Sequence, residues 1–452
     1  MKCVRFARTL TAVLLLGTTA IHPQSGLPAA TVPIVFVHGN GDDAAKWVGI
    51  IWLFESNGYP ADKLFAVRIL HPNSRTDDTR EEVNRSSTAD VAADLSAFVT
   101  RVLIQTHSDK VALIGSSRGG LTIRNYLLHG GRANVAYAIL CGTPNHGVVA
   151  SDASPNGEYN GKGNFLTGLN NASADGSEVV GGVKTMTLRS DKLDKYAQPN
   201  GVAFGAPQRP TNVTFDGPAL RGANNVVLPN LDHRELAFYP TAFAEMYKFI
   251  TGAPPRVIAV VPEAHPVISG LITGYDNGAF TNLPLAGAHL RIYSVDRAKK
   301  VEAGTPDYEI TTAEDGKWGP FRAISDQEYD FDLEYQGLHV HFYKAPIPRS
   351  TNLLNLRLMP IPRTEGSSTP QNTSQLLIDR PQGYFSRDRD PVEIDGKVSN
   401  DEPAGLPLED SFVANLQISP GALAQVTLRN ETIVARPSRD LSKDLPIVDF
   451  LW

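Results

Sequence analysis

"VALIGSSRGGLTIRNYL", from Val111 to Leu127, is the stretch on which the reading of this chain turns. Four apolar residues give way to Gly-Ser-Ser-Arg-Gly, and a helical composition follows. The match to G-x-S-x-G runs through Gly115, Ser117 and Gly119. A strand that becomes a helix across so tight a turn forces its central residue to a positive φ, a strained conformation. Side chains two positions to either side would collide with the turn, and glycine at 115 and 119 makes room. The strain lifts the Ser117 hydroxyl out of the sheet's C-terminal edge. The bare pattern also arises as a glycine-rich βα turn with a capping serine, so the surrounding sequence has to carry the argument.

From Pro33 to Gly252 short apolar runs alternate with helical patterns. "PIVFV", "LFAVRI", "VALI", "VAYAIL", "VKTMTL" and "NVVL" read as strands. Several are apolar throughout, as strands covered on both faces are. Between them Asp43–Asn57, Ala89–Thr106, Arg118–His129 and Leu236–Ile250 read as helices. In the second, Val91, Leu95, Phe98, Val102 and Leu103 recur at helical spacing. The alternation predicts a mostly parallel sheet with crossover helices over residues 31–253.

After "GAPPR" the period changes. "YDFDLEY" and "LHVHF" alternate with a period of two, as does "LNLRL", and "EDGKW" offers an Asp-Gly hairpin turn. Residues 254–360 read as a β-sandwich. Beyond "PRTEGSSTPQNTSQ", the strands "VEIDGKV", "FVANLQI" and "AQVTLRNETIVAR" in 361–452 either form a second small β unit or complete the first.

The 452 residues are enough for two or three domains, and a hydrophobic fraction of 42% supports sizeable cores. A net charge of −6 with no basic patch argues against nucleic acid as a partner. Lys2, Arg5 and Arg8 precede the short apolar run Leu10–Gly17, which reads as a signal peptide within residues 1–30, cleaved near Ala20 or Ala30. Roughly ten apolar residues are too few to span a bilayer. The expected location is secreted, with no transmembrane segment. Cys3 would leave with the leader, and Cys141 would remain as a buried thiol without a disulfide partner.

In this setting Ser117 reads as the nucleophile of an elbow. A serine hydroxyl needs a base, and among eleven histidines His233 fits best. It lies in a loop after the last α/β strand and before the last helix. The supporting acid should lie after the penultimate strand, where "VKTMTLRSDKLDKYAQP" offers Asp191 and Asp194. Asp191 stands at the strand mouth and is the expected acid, whereas Asp194, a turn later, is expected to face solvent. The order Ser, Asp, His is that of α/β-hydrolases. Negative charge on a carbonyl oxygen would be met by the backbone N–H of Arg118 and by that of Asn40, after His38-Gly39.

Taken together, His38-Gly39, "GSSRG", "GTPNHG" (Gly142–Gly147), Asp191 and His233 resemble a secreted bacterial lipase or esterase of the α/β-hydrolase superfamily, over about Val32 to Gly252. The segment "GLITGYDNGAFTNLPLAGAHLRIYSVD…TTAEDGKWGPF" resembles the prealbumin-like β extension of that group. The resemblance implies carboxylic ester hydrolysis without a cofactor, on an ester or lipid substrate. It also implies a β module that aids binding to substrate or to a lipid or polymer surface. A chain ending near Gly252 should then keep hydrolysing small soluble esters. A polyester depolymerase or amidase uses the same parts, and a non-catalytic surface-binding protein on a degenerate fold is the rival class. The His71–Thr88 stretch, a lid candidate, is short and polar with no apolar face, and Ser151–Gly182 is the other lid candidate. Asp330, Asp332 and Glu334 alternate on one strand and His339 and His341 on another. Strand alternation alone gives such patterns, so they read as a solvated face with no metal.

Overall fold

The structure, a computed structural model, describes residues 31–171, 173–201, 209–359, 373–419 and 421–452. The leader expected in 1–30 lies outside the described residues. Among them no helix is long and apolar enough to cross a membrane.

Six strands form the first sheet: β1 (Ile34–Val37), β2 (Leu64–Ala66), β3 (Val111–Ser116), β4 (Val135–Cys141), β5 (Lys184–Ser190) and β6 (Asn224–Leu228). Their order is β2-β1-β3-β4-β5-β6, with every pair parallel. The helices are α1 (Val48–Ser56), α2 (Thr88–Thr106), α3 (Arg118–Leu128), α4 (Asn164–Asn170), α5 (Glu235–Phe238) and α6 (Pro240–Thr251). Strand alternation divides the core. Ile34 and Phe36 face Ile50, Leu53 and Phe54 of α1 and Phe243, Met246 and Ile250 of α6. Val35 and Val37 face Val91, Leu95, Val99 and Val102 of α2 and Ile123 of α3. Layers on both faces of a parallel sheet make this the α/β-hydrolase fold. The expected helix over Leu236–Ile250 is broken: Tyr239 is extended (φ −91°, ψ 148°) and Pro240 opens α6. Proline disfavours helical geometry in the residue before it.

The C-terminal region is all β. Its largest sheet runs Val301–Glu302, His289–Asp296, Glu328–Tyr335, Leu338–Lys344, Asp444–Asp449, Ser374–Asp379, Ser411–Leu416. Asp444–Asp449 pairs in parallel with strands from either side of residue 361. The Asp-Gly turn at 315–316 does not make a hairpin. Tyr308–Thr311 pairs with His289–Asp296, whereas Lys317–Arg322 pairs with Val267–Asp276, so the turn carries the chain between sheets. The interior enforces this, because Trp318 and Phe321 from one sheet must meet Leu290, Phe331 and Val340 from the other. "VEIDGKV" does form a hairpin, with Asp395 and Gly396 at φ 48° and 75°.

The two regions share a core. Val48 and Trp52 of α1 belong to the same buried cluster as Ile268, Leu354 and Leu356. Trp52 Nε1 donates to the Ser350 carbonyl at 3.0 Å. The Trp452 ring lies so close to α1 that a Cβ on Gly49 would stand 2.6 Å from it.

Candidate active site

The sheet's strand order reverses around β1. The chain steps from β1 outward to β2, then returns to lay β3 on β1's other side. A crevice opens at the C-terminal ends of two such strands. The elbow occupies it. Ser117 has φ 52° and ψ −117°, and α3 begins at the next residue. A Cβ on Gly115 would stand 2.6 Å from the Gly119 carbonyl carbon, and one on Gly119 would stand 2.3 Å from the Val37 oxygen. Both glycines are required by close backbone approach.

The loop after β1 is fixed by His38. Its Nε2 accepts from Ile69 N at 3.3 Å, so Nδ1 carries the proton and donates to the Gly39 carbonyl at 3.0 Å. Burial pulls the His38 imidazole below its usual pKa and keeps it neutral. A Cβ on Gly39 would lie 3.4 Å from Ser117 Cβ, so this loop passes directly beside the serine. Asn40 is exposed, and its side-chain oxygen accepts from Ser74 N at 2.7 Å.

Past β4, one backbone segment touches both the elbow and His233. Ser117 N donates to the Cys141 carbonyl at 2.8 Å. Gly142 follows at φ 55°, and a Cβ there would meet His233 O at 2.8 Å and Nδ1 at 3.2 Å. Cys141 itself is fully buried, and burial pushes its thiol pKa up, which leaves it inert.

The acid expected at Asp191 is not the one facing the histidine. His233 Nδ1 lies 2.8 Å from Asp194 Oδ1, and both residues are 3% exposed. Asp191 Oδ1 instead accepts from Lys192 N at 2.8 Å and Asn230 N at 3.2 Å. The reason is the length of β5. It runs on to Ser190, so Asp191 is spent on the turn. The chain then drops back to bring Asp194 beneath the imidazole, where Tyr196 stacks edge-on against His233 at 4.6 Å. Among the described residues the Ser117 hydroxyl makes no hydrogen bond to His233. The other candidate histidines are engaged elsewhere: His146 contacts Gly217 O and Glu178, and His289 contacts Glu309.

The loop that carries His233 is gripped from the β region. Its neighbours Asp232 and Glu235 are 0% and 1% exposed. Arg389 reaches both, at 3.1 and 2.9 Å. Arg380 and Arg429 reach Glu235 at 2.5 and 2.8 Å, and Tyr384 N donates to Asp232 at 2.9 Å. Burial works against the Asp232 charge, but Arg380 and Arg389 more than offset it and hold its carboxyl below the usual range. Gly252 therefore divides the chain in sequence and not in packing. Ending the chain there removes all three guanidinium groups and strips the cover from Val48 and Trp52. The expected result is insoluble protein, or soluble protein without activity on p-nitrophenyl acetate, because a large apolar patch is exposed and the His233 loop is released. Soluble truncated protein working at the full-chain rate would contradict this.

A second role of Arg118 was not legible beforehand. Its side chain is buried and bonds Glu158 at 2.8–3.0 Å, Pro72 O at 3.0 Å and Ser86 O at 2.8 Å. It thus pins both lid candidates to the elbow helix. Leu166 and Leu169 are buried on Leu121, with Phe165 packed beside them, so the apolar residues of the second candidate face inward.

A cavity of about 400 Å³ lies between the α/β and β regions, lined among others by Asp42, Lys46, Trp52, Arg234 and Phe342. None of Ser117, Asp194 and His233 lines it.

Residues 31–173 match the family model for lipase (class 2), and residues 268–361 match that for the lipase C-terminal domain. Among solved structures, Aspergillus fumigatus lipase B aligns at 17% identity over 51% of this chain and 56% of its own length, with a TM-score of 0.36. Bacillus licheniformis lipase BlEst2 in mature form aligns at 20% identity over 51% of this chain and 91% of its own, with a TM-score of 0.34. Its propeptide form aligns at 14% identity over 92% and 95%, with a TM-score of 0.36.

Proposed function

We propose that this chain, a class 2 lipase segment followed by a lipase C-terminal domain, is a serine hydrolase that cleaves carboxylic esters through an acyl-enzyme. The observation that carries the reading is a buried His233–Asp194 pair beside a serine held at positive φ on a strand-to-helix elbow. Asp194 accepts a hydrogen bond from Nδ1–H, which keeps the proton on that nitrogen and leaves Nε2 as the basic one. His233 takes the Ser117 proton as the hydroxyl attacks the ester carbonyl, then returns it to the departing alcohol. The same nitrogen activates water to release the acid. The contact between Ser117 and His233 tightens when substrate enters, as is common in free enzymes. The N–H groups of Arg118 and Asn40 receive the developing oxyanion, each typically worth about 3 kcal/mol in the transition state.

The two pinned segments lack an outward apolar face, so the substrates in this reading are esters of short to medium acyl length. The leader read from Lys2, Arg5, Arg8 and Leu10–Gly17 makes it a secreted enzyme. A fluorophosphonate probe tests the chemistry. One equivalent should attach at Ser117, and p-nitrophenyl acetate or butyrate should be cleaved faster than palmitate. An unlabelled protein, or a label on another residue, would remove the assignment. A palmitate preference would remove only the acyl-length part.

A further inference from the structure

Asp330 and Asp332, which read as solvated from sequence, are 1% and 5% exposed. They are also not on a separate face from the histidines. Glu328–Tyr335 and Leu338–Lys344 pair with Asp332 opposite His341 and Glu334 opposite His339. The strand Asp444–Asp449 then places Asp444 beside His339 from the other side. Three strands, one of them the last in the chain, bring two imidazoles and several carboxylates together.

The separations are those of a coordination sphere. Asp332 Oδ1 lies 3.1 Å from His339 Nδ1 and 3.8 Å from His341 Nε2. His341 Nε2 lies 3.5 Å from Asp444 Oδ1. The donor atoms of Asp332, His339 and His341 all fall within 4.8 Å of one another. Ligands about 2.0–2.1 Å from a tetrahedral zinc ion stand about 3.3 Å apart. The nitrogens that face away are backed as metal-bound imidazoles usually are. His341 Nδ1 is 2.7 Å from Asp330 Oδ2, and His339 Nε2 points towards Glu334 at 4.0 Å. Arg291 holds the other oxygen of Asp332 at 3.1 Å, leaving Oδ1 for the ion.

Charge favours a cation as well. Asp330, Asp332, Glu334 and Asp444 stand around the two imidazoles, and Arg291 pairs with only two of them, Asp332 and Glu334.

We propose that Asp332, His339, His341 and Asp444 bind one zinc ion. Two imidazole nitrogens and two carboxylate oxygens suit zinc better than calcium or magnesium, which prefer oxygen alone. The ion ties the closing strand Asp444–Asp449 to the hairpin before it, in a chain whose only described cysteine is unpaired.

The test uses the full chain, stripped with a chelator and titrated with zinc chloride by calorimetry. One ion per chain is expected, together with a rise in melting temperature that the chelator reverses. His341→Gln and Asp332→Asn should each weaken binding by more than tenfold. Their ester hydrolysis should remain at the wild-type rate, since none of these residues is among those that hold the His233 loop. Circular dichroism of each variant separates lost binding from lost fold. His339→Gln, at a more exposed ligand, provides a second probe if either of the others unfolds. Absence of a one-to-one zinc isotherm in the wild type would overturn the proposal, as would variants that bind zinc as tightly as the wild type.

Discussion

Ser117→Ala is expected to lose about 10⁶-fold in kcat on p-nitrophenyl butyrate, as when a triad serine is removed elsewhere. The fold should be unchanged. Alanine at φ 52° carries the same backbone strain as serine, and the hydroxyl donates no hydrogen bond to His233 in the free protein. A residual rate above water is expected, because the proposed oxyanion donors, the N–H groups of Arg118 and Asn40, remain in place. Phosphonate labelling should vanish with the hydroxyl. Ser116→Ala is the control: Ser116 ends β3, is 1% exposed, and has no part in the proposed chemistry. Activity within tenfold of wild type in Ser117→Ala would rule out this nucleophile.

Asp194→Asn is expected to lose about 10⁴-fold in kcat, and Asp191→Asn no more than a few-fold. An amide at 194 presents either an oxygen that still accepts from Nδ1 or an NH₂ that forces the other tautomer. In neither case does it carry the charge that stabilises imidazolium. Both partners are 3% exposed, so bulk water does not replace that charge. An amide at 191 can keep accepting from Lys192 N and Asn230 N. Rate measurements on the two variants settle the order, and the reverse ranking would return Asp191 to the role.

Much of the architecture was legible because it depends on local rules. The inner strands β1, β3 and β4 are largely apolar runs of four to seven residues, and burial on both faces leaves little else for them to be. Gly115 and Gly119 could be read because the elbow's geometry is contained within five residues. The position of His233 beside Asp194 could be anticipated in part, because chain order and loop position restrict where a base would stand. The break at Tyr239 was also written in the chain, as Pro240, although the helical period on either side masked it. The choice between Asp191 and Asp194 was not legible. It depends on whether β5 stops at Leu188 or at Ser190, and on which way the next turn folds.

By itself the sequence determined the alternation of strand and helix up to Gly252, the change to period two beyond it, and the residue types that the proposed nucleophile, base and oxyanion donors require. Each follows from periodicity or from steric limits within a few residues. Only the tertiary structure decided that Asp194 lies under His233, that Arg118 anchors Glu158, Pro72 and Ser86, and that Asp444–Asp449 closes a sheet begun at His289. It also decided that Arg380, Arg389 and Arg429 hold the loop carrying His233, more than 140 residues before them. Those pairings cross long stretches of chain. A buried carboxylate needs a cation, but nothing in the residues nearest Asp232 and Glu235 says which arginine will reach it, because that is set by how the two regions pack.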